Sequence, residues 1–424
     1  MRYLYSALFY LLLPLVLLRM LWRSRRAPAY RQRLAERFGY FAVPPGKQPV
    51  IWVHAVSVGE TLAAAPVIED LLALYPDYRL VVTTTTPTGS ERVRALFGDR
   101  VFHVYAPWDL PGAVRRFVAK LRPRLLLIME TELWPNMLHY SDVSGCRILL
   151  ANARLSERSA RGYGRLGALT RQMLQQLDTV ACQNETDGRR FLALGLPASA
   201  LEITGSIKFD LDLDAELREG ALELRASLAA DERPVLVVAS THPGEDEQVL
   251  AAFAQIRREV QDCLLLLVPR HPERFDAVYE LCQGDGWQVV RRSSGISPDR
   301  QTDVLLGDTM GELVLLLGVA TVAVIGGSLV ERGGHNVLEP AAWGVPVVTG
   351  PHMFNFAQIS ELLIEAGAMI MLAEPAGLSA CLLELLQNPE KCLQMGEAGQ
   401  RVVAENRGAK QRLLDLVDRN LANV

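Results

Sequence analysis

Short apolar segments alternate with segments of helical periodicity along most of the chain. Residues 50–56 (VIWVHAV) and 125–129 (LLLIM) are two of the apolar segments, and both consist almost entirely of apolar residues. Strands that are apolar on both faces are typical of parallel sheets covered by helices on both sides. The pattern therefore predicts an α/β protein built on parallel sheets.

The alternation occurs in two series, separated by a charged segment without a buried strand. We predict one Rossmann-like domain at residues 49–210, a connection at 211–233, a second Rossmann-like domain at 234–407 and a C-terminal helix at 408–424. The predicted architecture is two doubly wound domains facing a central cleft. Ligands of such sheets bind at the carboxyl ends of the strands, so we expect functional residues in the loops there.

Composition excludes several classes of protein. The chain has 424 residues and a net charge of −4, which gives no reason to expect a nucleic-acid partner. Its six cysteines have no paired spacing, which favours reduced thiols and a cytosolic location and offers no metal-binding pattern. Neither a P-loop motif nor a GxGxxG motif after the first strand of either series is present, so P-loop and dinucleotide sites are disfavoured.

The N-terminus departs from the pattern of a soluble protein. Residues 3–18 form an uncharged apolar run of 16 residues, somewhat shorter than the roughly 20 that a spanning helix prefers. The positive charge follows the run, unlike in a cleaved signal peptide, and places the later residues in the cytoplasm. We predict a membrane anchor at residues 1–22, either a short span or an interfacial helix, and a basic linker at 23–48. The basic residues are Arg23, Arg25, Arg26, Arg31, Arg33 and Arg37.

Acidic residues follow two strands of the first series. Glu60 lies in the sequence Ser57-Val58-Gly59-Glu60, which matches a capping box but also suits a general base acting on an acceptor hydroxyl. The helix dipole is expected to keep this carboxylate ionised. Glu130 and Glu132 follow residues 125–129, and they are either ordinary surface acids or groups that stabilise positive charge on a sugar carbon.

Two further positions of the first series are open to a structural and a functional interpretation. Asn152 and Arg154 follow a strand and are explained equally well by a structural turn. Lys208 follows the last strand of the series. It is either solvated or balances the charge of a phosphate or a sugar carboxylate.

The second series contains a glycine-rich loop between a strand at 321–325 and a short helix that ends at Gly344. Asn336 is the expected N-cap, and Glu339 stands at capping-box spacing from it. The helix N-terminus could bind a phosphate and Glu339 a ribose diol, or Glu339 could only cap its own helix. Three more helix starts, at 240–245, 269–272 and near Met310, favour a nucleotide site.

Several long motifs resemble those of the 3-deoxy-D-manno-octulosonic acid (Kdo) transferases of lipopolysaccharide synthesis. The resemblance implies a GT-B glycosyltransferase fold, CMP-Kdo as donor, a tetraacylated lipid A precursor as acceptor, and no cofactor or metal. It also implies a location at the inner membrane, with the catalytic domains on the cytoplasmic side. The motifs are WVHAVSVGE (52–60), METELWPN (129–136), ANARLSERS (151–159), TGSIKFD (204–210), PRHPERF (269–275), GDTMGEL (307–313) and GGSLVERGGHNVLEPAAWGVPVVTGPHMFNF (326–356).

The resemblance also implies roles for individual residues. Glu60 matches the family's catalytic base, and Glu130 and Lys208 match its transition-state-stabilising positions. A sugar-nucleotide epimerase of similar architecture is the alternative, although it would need neither a membrane anchor nor a lipid acceptor; a catalytically dead nucleotide-binding scaffold is disfavoured by the intact Glu60 loop. The implied CMP contacts are Pro269, Arg270, Met310, Gly311, Glu312, Asn336, Val337, Leu338 and Glu339.

Overall fold

The computed structural model describes residues 1–25 and 27–422. Arg26 of the basic linker and the last two residues of the predicted C-terminal helix lie outside the described residues. The chain divides into two compact units: the first unit comprises Met1–Asp210 together with the chain from Arg407 onward, and the second comprises Leu211–Asn406. The segment 211–233, predicted as a connection, contains a helix and belongs to the second unit.

The first unit is built on a sheet of seven parallel strands. The strands are β1 Val50–His54, β2 Arg79–Thr84, β3 Phe102–Tyr105, β4 Pro123–Met129, β5 Arg147–Ala153, β6 Thr179–Cys182 and β7 Leu201–Ile203. Their order is β3-β2-β1-β4-β5-β6-β7, so the direction in which strands are added reverses between β1 and β4. Such a reversal opens a crevice at the carboxyl ends of the two strands.

The second unit has its own sheet of seven parallel strands. They are β8 Val235–Thr241, β9 Leu264–Pro269, β10 Val289–Arg291, β11 Val304–Leu306, β12 Val322–Ile325, β13 Val347–Thr349 and β14 Met369–Met371. The order β10-β11-β9-β8-β12-β13-β14 places the reversal between β8 and β12. The prediction of two doubly wound parallel sheets is therefore confirmed.

Helices cover both faces of each sheet. Trp52 and Ile51 are neighbours on β1, yet they belong to different apolar clusters on opposite faces, and both side chains are fully buried. In the first unit the helices are α1 Arg2–Arg23, α2 Val58–Leu74, α3 Pro87–Phe97, α4 Pro111–Leu121, α5 Pro135–Val143, α6 Glu157–Arg165, α7 Gly167–Leu174 and α8 Glu185–Ala193. The second unit contains α9 Ala215–Ser227, α10 Asp246–Glu259, α11 Phe275–Gly284, α12 Leu313–Leu317, α13 Leu338–Trp343, α14 Ala357–Glu365, α15 Leu378–Leu386 and α16 Pro389–Asn406, and α17 Ala409–Ala422 returns to the first unit.

Helix α1 is long and apolar enough to cross a membrane, and almost none of its apolar surface is buried. Its first turn is the exception, because Arg2 and Ser6 are buried against the first unit. The Arg2 guanidinium donates a hydrogen bond to Asn136 Oδ1 at 2.9 Å, and Asn136 Nδ2 donates to Ser6 Oγ at 3.1 Å. The apolar helix is thus attached to the first unit by polar contacts at its N-terminal end.

Asn136 is itself held by a buried carboxylate. Asp109 accepts the backbone N–H of Asn136 at 2.9 Å and that of Met137 at 2.7 Å, and its backbone carbonyl accepts Asn136 Nδ2 at 2.7 Å. These are N–H groups of the first turn of α5, where no intrahelical acceptor exists. Asp109 therefore fixes the start of α5 and the side chain to which α1 is attached.

We expect Asp109→Ala to destabilise the protein, because two buried N–H groups lose their acceptor and each costs about 1–3 kcal/mol. Chemical denaturation followed by circular dichroism should show a lower midpoint. Asp142→Ala is the matched control, since Asp142 is an exposed carboxylate on the same helix. Equal midpoints for the two variants would contradict this role of Asp109.

Candidate active site

Glu60 and Glu130 lie at the reversal of the first sheet. Glu60 is in the first turn of α2, which follows β1, and Glu130 comes directly after β4. The strands β1 and β4 are parallel neighbours, so their carboxyl ends share one edge of the sheet. Glu130 and Glu132 both raise the pKa of Glu60 by charge repulsion, which shows that the three carboxyl groups interact.

Glu60 forms the capping arrangement that its spacing predicts. The Glu60 N–H donates to Ser57 Oγ at 3.3 Å, and the Ser57 hydroxyl donates to Glu60 Oε1 at 2.9 Å. Glu60 Oε2 accepts the backbone N–H of Val56 at 2.8 Å. Both carboxylate oxygens are therefore held in place, and a capping role does not exclude a catalytic one.

The expectation that the helix dipole keeps Glu60 ionised is wrong, because the pKa of this carboxyl group is raised and not lowered. Burial raises the pKa of Glu60 to about 7, against the opposing effect of the hydrogen bonds from Val56 and Ser57. Near neutral pH the carboxyl group is then divided between its protonated and ionised forms. A pKa close to the working pH is the property that suits a general base.

Lys208 interacts electrostatically with Glu130. Burial lowers the pKa of the Lys208 ammonium, while the Glu130 carboxylate opposes that shift and Arg154 adds to it. Glu130 has a φ of 56°, in the left-handed region that non-glycine residues seldom adopt. Such backbone strain is concentrated at functional sites. The structure thus brings together Glu60, Glu130 and Lys208, the three residues to which the resemblance gives catalytic roles.

Asn152 lies at the strand end that holds the segments carrying Glu130 and Lys208. The sequence did not distinguish it from an ordinary turn residue. It belongs to the end of β5 rather than to the following loop, it is fully buried, and its φ is 52°. Its Oδ1 accepts the backbone N–H of Ile207, the neighbour of Lys208, at 3.3 Å. The Glu130 N–H donates to the adjacent carbonyl of Ala151 at 2.9 Å. The end of β5 therefore holds the segments that carry Lys208 and Glu130.

In the second unit, Glu245 connects the loops that follow the two strands at the reversal. Its side chain is fully buried. Oε2 accepts the N–H of His242 at 2.8 Å and that of Gly327 at 2.7 Å, and Oε1 accepts the N–H of Leu329 at 2.9 Å. The local sequence predicts only a helix start at Glu245, because it contains no sign of N–H groups more than 80 residues away.

The predicted contacts at the glycine-rich loop lie close together. Arg270 directly follows Pro269, the last residue of β9, and its charge opposes the rise in the pKa of Glu339 that burial causes. Asn336 Nδ2 donates to Glu339 Oε1 at 3.0 Å. Arg270, Asn336 and Glu339 therefore form one group at this edge of the sheet.

The prediction that Asn336 is the N-cap is wrong. The N-cap of α13 is Val337, and Asn336 Oδ1 accepts the N–H of Leu338 at 3.1 Å. The Asn336 side chain thus already accepts one first-turn N–H group, which was expected to be free to bind a phosphate. Glu339 remains a partly buried carboxyl group whose pKa is raised.

Met310, Gly311 and Glu312 lie in the loop after β11, at the same edge of the sheet. The prediction of a helix beginning near Met310 is wrong by three residues, because α12 begins at Leu313. Glu312 forms an ion pair with Arg292 at 2.9 Å and accepts a hydrogen bond from the Thr309 hydroxyl. These contacts lower the pKa of Glu312 and hold the loop in place.

No group of three or more His, Cys, Asp or Glu side chains in residues 1–25 and 27–422 is arranged to hold a metal ion.

Comparisons with known proteins indicate one family. A family model described as 3-deoxy-D-manno-octulosonic-acid transferase (kdotransferase) matches residues 32–211. Over 420 residues the chain is 44% identical to the 3-deoxy-D-manno-octulosonic acid transferase of Haemophilus influenzae, covering 98% of each chain.

Solved structures with similar folds include both transferases and epimerases. A glycosyltransferase from Rickettsia africae has a TM-score of 0.57 at 12% identity, over 90% of this chain and 100% of its own. A UDP-GlcNAc 2-epimerase from Neisseria meningitidis has a TM-score of 0.58 at 12% identity, over 88% of this chain and 100% of its own. These likenesses show the two-domain GT-B architecture, and the architecture alone does not separate the two activities.

We expect Glu245→Ala to loosen the glycine-rich loop, because three buried N–H groups lose their acceptor. A local loss of about 1–3 kcal/mol corresponds to amide exchange that is roughly 5- to 150-fold faster. Hydrogen exchange measured by mass spectrometry should show this change in peptides covering 326–337. Glu247→Ala, which removes an exposed carboxylate from the same helix, should leave these peptides unchanged. Unchanged exchange in both variants would contradict the role of Glu245.

Proposed function

This chain belongs to the 3-deoxy-D-manno-octulosonic acid (Kdo) transferase family, and on that premise we propose that it transfers Kdo from CMP-Kdo to a tetraacylated disaccharide precursor of lipid A. The observation that carries the proposal is Glu60, a partly buried carboxyl group with a pKa of about 7 at the reversal of the first sheet. The epimerase alternative is not favoured. It rests on structures that are only 12% identical, whereas the transferase relative is 44% identical over nearly the whole chain.

In the proposed reaction, Glu60 removes the proton from an acceptor hydroxyl. The hydroxyl oxygen attacks the anomeric carbon of Kdo, the bond from that carbon to the CMP phosphate oxygen breaks, and its electron pair leaves with CMP. Attack from the face opposite CMP inverts the anomeric configuration. A nucleotide phosphate leaves readily, so one carboxylate base suffices and no general acid or metal is required.

Glu130 and Lys208 are proposed to stabilise the charges that develop during transfer. The Glu130 carboxylate would stabilise positive charge at the anomeric carbon, and the Lys208 ammonium would balance a negative group of the donor. The electrostatic interaction between the two side chains supports this pairing, because it favours the charged form of a partly buried lysine.

The donor nucleotide is proposed to bind in the second unit. Glu339 is a partly buried carboxyl group beside Arg270, and its oxygens can accept both hydrogens of a ribose diol. Asn336 donates to one of those oxygens and so fixes the orientation of the carboxyl group. Met310, Gly311 and Glu312 remain proposed contacts of CMP.

The apolar helix α1 is proposed to hold the protein on the cytoplasmic surface of the inner membrane, where the lipid acceptor resides. We further propose that α1 lies in the interface rather than spanning the bilayer. Arg2 at its start donates to Asn136, while Arg33 and Arg37 beyond its end donate to the carbonyl groups of His103 and Thr85 at 2.9 and 2.8 Å. The N-terminal end of α1 and the segment that follows the helix are thus bound to the same unit, so a bilayer cannot separate them.

The proposed reaction is tested by incubating the full-length protein with CMP-Kdo and lipid A precursor in the presence of a chelator, with products identified by mass spectrometry. We expect transfer by the wild type and a loss of more than about 100-fold in Glu60→Gln, since general bases typically contribute 10²–10⁴-fold. CMP binding should be retained. Because the base acts in its ionised form, the rate should rise with pH through about 7 and then level off.

The matched control is Glu69→Gln, which neutralises an exposed carboxylate on the same helix and should leave transfer unchanged. Full activity in Glu60→Gln, or a rate that falls as pH rises through 7, would exclude Glu60 as the base. A rate that is lost in chelator and restored by a divalent ion would show that a metal is required.

The orientation of α1 is tested by placing a cysteine at either end of it, Tyr3→Cys and Arg25→Cys, in a background carrying Cys381→Ser. If the helix lies in the interface, a membrane-impermeant thiol reagent should label both positions in inside-out vesicles and neither in sealed right-side-out vesicles. Labelling of Tyr3→Cys only from the opposite side of the membrane would instead establish a span.

A further inference from the structure

A pair of histidines lies at the reversal of the second sheet. His242 follows β8, and His335 lies in the glycine-rich loop after β12. Their Nε2 atoms are 2.8 Å apart, and their rings lie nearly parallel and meet edge to edge, with centroids at 5.1 Å and an interplanar angle of 7°. The 93 residues that separate them along the chain explain why a local sequence pattern does not pair them.

The backbone around the pair is built for this close approach. Glu245 binds the N–H of His242 and that of Gly327, so one buried carboxylate fixes both loops. Gly327 has a φ of 68°, and a Cβ there would lie 3.1 Å from the His335 ring and 3.5 Å from the His242 ring. A larger residue at Gly327 would therefore displace the rings.

Several cationic groups surround the rings, and the nearby carboxyl groups of Glu245 and Glu339 offset part of their charge. Arg270, Arg332 and His271 all depress the pKa of His242, in addition to the effect of burial, and Arg270 and His271 do the same for His335. Arg274 also contributes, although it is paired with Asp246. Neither Arg270 nor Arg332 has a salt bridge within the part of the chain that the structure describes. A concentration of cationic groups at a strand-end crevice attracts anions.

The hydrogen bond between the two Nε2 atoms limits the charge that the pair can hold. With both rings neutral, one Nε2–H donates to the other Nε2, and the donor ring keeps a free Nδ1. One proton added to that Nδ1 makes the pair a single cation and preserves the bond. A second added proton would set two N–H groups against each other, so the pair takes up no more than one.

We propose that His242, His335 and Arg270 form an anion subsite that binds a phosphate or carboxylate oxygen, and that the histidine pair takes up one proton when the anion binds. Burial and the neighbouring arginines keep the free pair neutral near pH 7, with the pKa of His335 lowered to about 4. A bound anion offsets that positive field and favours the charged form. Anion affinity should therefore increase as pH falls.

The inference rests on the proposed function, because CMP-Kdo supplies two such anions, the phosphate of CMP and the carboxylate of Kdo. Titration calorimetry of the full-length protein in detergent, with CMP, cytidine and free Kdo as separate ligands, distinguishes them. Measurement in two buffers of different ionisation enthalpy, between pH ~7 and ~8, reports the protons that the protein takes up, because the phosphate of CMP, with a second pKa of about 6, is then already largely in its doubly ionised form.

We expect CMP to bind more tightly than cytidine. The difference in affinity should grow as pH falls, because the protein takes up a proton when CMP binds. His242→Gln and His335→Gln should each bind CMP about tenfold more weakly and without proton uptake, as expected for the loss of a charge-assisted hydrogen bond. Their affinity for cytidine should be unchanged, which also verifies that they fold. His139→Gln, which alters a histidine of α5 in the first unit, is the control and should behave as the wild type.

Each other outcome has a separate meaning. If the two variants lose affinity for Kdo instead of CMP, together with proton uptake, the subsite stands and its ligand is the carboxylate. If wild type and variants bind CMP and Kdo equally well, the subsite is overturned while the proposed function stands. If the wild type binds neither ligand, the proposed donor is wrong and the subsite fails with it.

Discussion

Carboxylates that accept backbone N–H groups at the strand ends are the interaction on which both candidate sites depend. Parallel strands leave such groups without partners where the chain turns away from the sheet, and a buried N–H without an acceptor is costly. Glu60 accepts the backbone N–H of Val56 after β1, and Glu245 accepts three backbone N–H groups in the loops after β8 and β12. Each carboxylate stands next to a reversal in strand order, where the two sheets present their ligand-binding crevices.

This interaction explains why the sequence could not decide between a capping and a catalytic role for Glu60. The two roles require the same position, because a carboxylate at the third helical residue after β1 both closes the capping arrangement and faces the end of β4. The cap holds both oxygens, and the burial that accompanies it raises the pKa. The same capping-box motif therefore predicts both the start of the helix and the candidate base.

Much of the fold could be predicted from the sequence, since fully apolar strands and amphipathic helices are encoded locally. The helix after Trp134 was not predicted, because α5 is short and begins with a proline. Asn336 matched the spacing of an N-cap, yet the loop continues to Val337 and uses the Asn336 side chain as an acceptor. Glu245 and the His242–His335 pair depend on contacts between segments that are distant in sequence, and only the folded chain reveals them.

The attachment of α1 to Asn136 has a consequence for soluble versions of the protein. Asn136 follows Glu130 and Glu132 within a few residues and lies in the first turn of α5, so the apolar helix α1 is attached next to the loop that carries these two acids. Cutting the chain before residue 23 would remove the partners Arg2 and Ser6 along with the apolar surface. Solubility gained by truncation would thus come with altered support for the loop that carries Glu130 and Glu132, and measurements on a shortened chain would describe a modified candidate site.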